Sequence, residues 1–192
     1  MSTRQSTHAK QTVNGIKIRP FRIADLARIM EIERRAFPDA WDESWFLYFF
    51  QTNPSGFMVA VENKDIVIGY AIVDVESEAE HAWLFMEGSR LPPQRGHLLN
   101  IAVDEDWRGK GIGSILLEKA AEFVSERGVN VLFLEVQTTN ANARTFYKNR
   151  GFKETGDVLS DYYPDGGDAI IMRKKLSSQR RNGGSQINRS AA

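Results

Sequence analysis

The sequence has no cysteine, which excludes disulfides, thiolate catalysis and cysteine-ligated zinc. Histidine is scarce, with only His8, His81 and His97, so no metal site is expected. Net charge is also missing: 25 Lys and Arg balance 25 Asp and Glu. No global basic field therefore exists to hold nucleic acid or an anionic membrane. The N-terminus lacks the apolar core of a secretion signal, and no apolar run is long enough to span a bilayer. These absences point to a cytoplasmic protein that contacts neither membrane nor nucleic acid directly.

The chain has 192 residues, 42% of them hydrophobic, which suits one domain with a sizeable core. A polar N-terminal arm is expected over 1–14, the folded domain over 15–176, and a disordered polar tail over 177–192. In the tail only Ile187 is large and apolar, so burial cannot offset the ordering entropy. Ile16 and Ile18 begin a short strand. Leu26, Ile29, Met30 and Phe37 recur at helical spacing, and Pro38 stops that helix. Asp42 suits the cap of a second helix with Trp45, Phe46, Phe49 and Phe50 on its apolar face. Strands are expected over 57–61 and 66–75, with a charged connection over 76–96 and a buried strand over 97–103. A helix led by Ile112 follows, closed at Gly128. The strand 129–136, a short helix over 141–149 and two strands over 152–158 and 169–175 complete a mixed-sheet α/β domain.

The strand ending at Val103 runs into Arg108-Gly109-Lys110-Gly111-Ile112-Gly113-Ser114 and then a helix. Glycines let backbone N–H groups close on an anion, and a helix N-terminus adds about half a positive charge. A dinucleotide fingerprint fails, because Ser114 or Leu116 stands where its third glycine belongs. A Walker loop fails because Lys110 is misplaced. The pattern Arg-x-x-Gly-x-Gly fits at Arg108, Gly111 and Gly113. Alone, so short a match also suits a plain glycine turn.

Four blocks carry a resemblance: Asn100 to Val103; Arg108 to Gly113; Leu134-Glu135-Val136 with Asn140 and Phe146 to Phe152; and Tyr162-Tyr163-Pro164-Asp165-Gly166-Gly167-Asp168-Ala169. Together they resemble the GNAT acetyltransferase superfamily, and within it the protein N-terminal acetyltransferases of the RimI and archaeal NatA catalytic-subunit types. The resemblance implies a GNAT fold: a mixed, mostly antiparallel sheet whose central parallel strands splay, flanked by about four helices. It implies acetyl-CoA as donor. Ile101, Ala102 and Val103 would pair with pantetheine like an added strand. Arg108, Gly109, Lys110, Gly111, Ile112, Gly113 and Ser114 would hold the pyrophosphate, and Asn140 the pantetheine arm. The segment 76–96 is the main departure from the family.

Direct attack of an amine on a thioester requires a base, stabilisation of the oxyanion and protonation of the thiolate. Glu135 interrupts an apolar run, where a carboxylate is costly without partners, and the family match makes it the proton acceptor. His97 on the adjacent strand is read as a neutral imidazole relaying a proton, or as a satisfied strand-end histidine. Tyr147 matches the family's proton donor; otherwise it is a helix-face tyrosine packing on the sheet.

On the substrate side, Tyr162 and Tyr163 suit a peptide backbone, although Pro164-Asp165-Gly166 is a turn in its own right. Phe37, Pro38, Asp39 and Trp41 resemble the segment lining the family's peptide entrance. The implied activity is acetylation of the free α-amino group of protein N-termini, among them ribosomal proteins or nascent chains. The alternatives are a small-molecule or lysine acetyltransferase, and a non-catalytic coenzyme A-binding or ribosome-docking module.

Overall fold

A computed structural model describes residues 12–13, 15–62, 65–77 and 94–177. Most of the expected N-terminal arm, tail and charged connection lies outside these residues. Where the arm is described, Thr12–Val13 forms a strand, β1, against Ile16–Pro20, β2. Then come α1 (Leu26–Ala36), α2 (Glu43–Thr52), β3 (Phe57–Val61), β4 (Val67–Ser77) and β5 (Gln94–Val103). The chain continues through α3 (Ile112–Glu126), β6 (Val131–Gln137), α4 (Ala141–Lys148), β7 (Lys153–Leu159) and β8 (Ala169–Lys175). β4 and β5 each reach further into the expected connection than the sequence suggests, pairing Glu76 with Arg95 and Ser77 with Gln94. No helix among the described residues is long and apolar enough to cross a membrane.

Local chemistry sets the helix ends. The Asp42 carboxylate accepts from the Ser44 N–H at 2.9 Å, capping α2. α3 closes with Gly128 N–H on the Ser125 carbonyl and Val129 N–H on that of Val124, the paired bonds of a Schellman end. One expectation for α2 fails. Phe46 and Phe49 are buried, but Trp45 is about half exposed (50%). Trp45 is one residue from Phe46, and one helical step is a rotation of about 100°, enough to leave the buried stripe.

The strands form one sheet in the order β1-β2-β3-β4-β5-β6-β8-β7. All neighbours are antiparallel except β5 and β6. Each face buries a core. α3 packs on one, where Leu116, Ala120 and Val124 meet Leu132, Leu134 and Met172. α1 and α2 pack on the other, where Ile29, Ile32 and Phe46 meet Phe57, Val59 and Tyr70. The side-chain alternation of β6 assigns its roles: Leu132, Leu134 and Val136 join the α3 core, so Phe133 and Glu135 face the opposite side.

Candidate active site

The site begins where the sheet opens. Among the described residues β5 and β6 pair only at Gly96 with Leu132 and His97 with Phe133. Beyond that rung β5 stays with β4, and β6 stays with β8. A bulge at Leu99, where Ile72 pairs with Asn100 and Val73 with Leu98, bends β5 just past the parting. The β5 edge from Leu98 onward thus has no strand beside it, and the N-termini of α3 and α4 lie beyond the diverging strand ends. An edge of free peptide groups suits an extended, amide-bearing ligand.

At the head of α3, Gly109 and Gly111 have φ of +76° and +84°, values that favour glycine. Gly111 is the N-cap and supplies no side-chain cap, so the first N–H groups of α3 are left for another acceptor. A pocket of about 330 Å³ sits here. Val103, Arg108, Gly109, Gly111, Ile112, Gly113 and Ser114 line it, with Trp107, Phe146 and Arg150. These residues fit a pyrophosphate-bearing ligand: open backbone donors, no intruding side chain and two guanidinium groups. Lys110 does not line the pocket. Its ammonium lies 4.3 Å from the Trp107 ring centroid and donates to the Asp106 carbonyl at 3.0 Å. Arg108 folds back to the Val103 carbonyl at 3.2 Å. Ile101 and Ala102 lie on the open edge, outside the pocket.

His97 Nε2 lies 2.7 Å from Glu135 Oε2, and its Nδ1 lies 3.4 Å from Glu76 Oε1. The ring stacks on Phe133 at 4.2 Å. Burial pushes the imidazole pKa down, but the bonds and charges of Glu135 and Glu76 outweigh it and hold the value up at about 9. Such a value favours an imidazolium between two carboxylates over the neutral imidazole of the sequence reading. The same contact holds the Glu76 carboxyl below its ordinary value, against the opposing effect of its own burial.

Tyr147 is buried in the α3-side core, edge-on to Phe146 and Phe152 at 5.1 and 5.6 Å. Burial, with a smaller effect from Tyr163, pushes its hydroxyl pKa well up. Asn140 caps α4, its Oδ1 accepting from the Ala143 N–H at 3.0 Å, which leaves the amide N–H groups to donate. Tyr162 and Tyr163 pack edge to face at 5.1 Å. Their turn is closed by the Gly166 N–H on the Tyr163 carbonyl at 2.8 Å. Burial first, and then nearby charge including that of Glu135, raises both hydroxyls to about 12.

The segment from Phe37 to Trp41 joins α1 to α2. Pro38 and Asp39 are exposed, and Phe37 and Trp41 are half-buried against the α1–α2 core. Glu33, almost fully buried on α1, anchors this segment. One oxygen accepts the Trp41 N–H at 3.0 Å and the Asn100 amide at 3.2 Å, and the other accepts the Tyr70 hydroxyl. Burial raises the Glu33 pKa, opposed by these hydrogen bonds.

Sequence reasoning assigned no role to Glu33, Glu76, Phe146 or Arg150. Glu76 had a signal: Tyr70, Ile72, Asp74 and Glu76 alternate along one face of β4. Glu33 had none beyond an acidic residue amid the apolar stripe of α1.

A splayed parallel pair, a glycine-rich helix head at its mouth and a carboxylate at the fork define an acyl-CoA-binding transferase fold. The profile of the Acetyltransferase (GNAT) family matches residues 26–152, and the chain belongs to that family. It is 34% identical over 163 residues to an N-alpha-acetyltransferase of Sulfurisphaera tokodaii, covering 83% of this chain and 93% of that protein. It is 33% identical over 163 residues to the [ribosomal protein bS18]-alanine N-acetyltransferase of Escherichia coli, covering 80% and 93%. The crystal structure of Chaetomium thermophilum Naa20 in complex with a bisubstrate analogue superposes with a TM-score of 0.73 at 27% identity, covering 86% and 93%. The chain is an acetyltransferase, and acetyl-CoA is its donor.

Proposed function

We propose that the chain transfers the acetyl group of acetyl-CoA to the free α-amino group of protein N-termini, by direct attack within a ternary complex. The observation that carries this is the 2.7 Å His97–Glu135 contact at the fork, where β5 and β6 part. The α-amine of a peptide has a pKa of about 8, against about 10.4 for lysine. At pH 7 roughly 10% of such amines are already neutral, so one carboxylate suffices as base.

Glu135 is the base. Its Oε2 is bound to His97, and its Oε1, which makes no hydrogen bond among the described residues, receives the amine proton. His97 holds the carboxylate in place rather than relaying a proton through a neutral ring. Tyr147 serves the leaving group as proton donor: its hydroxyl proton passes to the sulfur as the C–S bond breaks, and the tyrosinate regains a proton from solvent.

On the donor side, acetyl-CoA supplies the activated acyl group. The α3 head with Arg108 and Gly109 to Ser114 holds its pyrophosphate, the Ile101–Val103 edge pairs with the pantetheine amides, and Asn140 donates to the same arm. Phe37, Pro38, Asp39 and Trp41 line the peptide entrance, and Tyr162 and Tyr163 hold the peptide backbone. The substrates fall among ribosomal proteins or nascent chains in the cytoplasm, a reading supported by the name of the Escherichia coli relative. The domain doing this work spans 15–176, flanked by the polar arm and tail.

The test is acetyl-CoA turnover on peptides differing in their first residue, beside an N-terminally blocked lysine peptide and free polyamines. Turnover is expected on free N-termini. Turnover confined to the blocked peptide or the polyamines overturns the proposal.

A further inference from the structure

Arg150 follows α4 and lines the pocket at the head of α3. Three protein contacts fix its guanidinium. Nε and Nη2 both donate to Ser114 Oγ, the first at 3.0 Å. Nη1 donates to the Phe146 carbonyl at 2.8 Å. The guanidinium carbon lies 3.7 Å from the centroid of the Phe146 ring. An arginine has five N–H donors, so these contacts leave one on each terminal nitrogen. A fork pinned at its base with two donors left over is arranged for a bidentate oxyanion.

Ser114 is altered by the same contact. Its oxygen has two lone pairs, and Arg150 directs an N–H at each. The hydroxyl hydrogen must then point elsewhere, so Ser114 in the first turn of α3 faces the pocket as a donor. Arg150 thus brings its own charge and sets the direction of a neighbouring hydroxyl, both beside the backbone donors of Gly111 to Gly113.

We propose that Arg150 is a further donor-binding residue, which grips the pyrophosphate of acetyl-CoA through its terminal nitrogens while locking Ser114 as a second donor to it. This rests on acetyl-CoA as the donor and does not depend on which amine is acetylated.

The test is calorimetric titration of coenzyme A into the wild type, Arg150→Met, Arg150→Lys, Ser114→Ala and the Met/Ala double variant. Methionine retains an apolar chain over Phe146, and a melting curve of each variant verifies folding. Loss of one charge-assisted contact predicts binding roughly 10- to 100-fold weaker for Arg150→Met. Lysine should recover part of this, because it restores charge without the fork. The double variant should bind no worse than Arg150→Met, since Ser114 acts through the arginine.

The same loss should appear with 3′-dephospho-coenzyme A and should vanish for turnover of acetylpantetheine, which has no phosphate. An Arg150→Met affinity equal to wild type overturns the proposal. So does a loss that persists with acetylpantetheine, or one that disappears with the dephospho compound. Failure of the wild type to bind coenzyme A at all would instead overturn the donor assignment.

Discussion

His97, on the last shared rung of β5 and β6, meets Glu135 just past that rung, Nε2 to Oε2 at 2.7 Å, where the two strands part. The contact keeps the carboxylate oriented, and Glu76 approaches the other ring nitrogen at 3.4 Å. Glu135→Gln keeps the shape and removes the base. Near pH 7, kcat should fall by about 100-fold or more, with coenzyme A affinity little changed. If His97→Ala does that damage and Glu135→Gln does none, the roles are reversed.

His97 gains its proton more readily when folded, with a pKa of about 9 against 6.5 for the free side chain. Its contribution to stability is therefore complete below about pH 6.5 and is lost as pH rises through about 9. The melting temperature of the wild type should decline across that window. His97→Gln should be lower at pH 6.5 and flatter above it. A wild-type melting temperature that is level from pH 6.5 to 9 would show that the ring is not held protonated.

Tyr147→Phe keeps the ring that packs on Phe146 and Phe152 and deletes only the hydroxyl. Stability and coenzyme A affinity should hold while kcat drops by about 10- to 100-fold. An unchanged kcat removes Tyr147 from the chemistry.

Glu33→Ala would strip the acceptor from three donors: the Tyr70 hydroxyl, the Asn100 amide and the Trp41 N–H. Leaving buried donors unpaired costs about 1–3 kcal/mol each before relaxation, so urea unfolding should show a loss of about 3 kcal/mol or more. Glu33→Gln retains one acceptor oxygen and should lose less. Equal losses in the two variants would mean that the cavity, not the hydrogen bonds, sets the cost.

The elements legible in the sequence were those with a period or a punctuating residue. The apolar run interrupted by Glu135, the cap at Asp42 and the glycines at the head of α3 each have a local cause, and each lies where expected. The charge state of His97 was not legible, because it depends on Glu76 and on Glu135, the latter 38 positions away in sequence, and both are joined to the ring only by strand pairing. Trp45 was misread because its size suggests burial while its position on α2 places it on the flank. The contact of Arg150 with Ser114 was hidden for the same reason as that of Glu76: the partners come from separate elements, α3 and the end of α4, brought together by packing on one face of the sheet.

Among the described residues only the Gly96 and His97 rungs tie β1 to β5 to β6 to β8 within the sheet. The molecule thus has a seam, and the proposed catalytic pair is fastened across it. A ligand seated in the fork would act as a splint, supplying to the open edge of β5 the bonds that a neighbouring strand supplies elsewhere. Acetyl-CoA binding would then brace the two halves and fix the spacing of His97 and Glu135 before an amine arrives. Backbone amides of Leu98 to Val103 should accordingly exchange with deuterium more slowly once coenzyme A is bound.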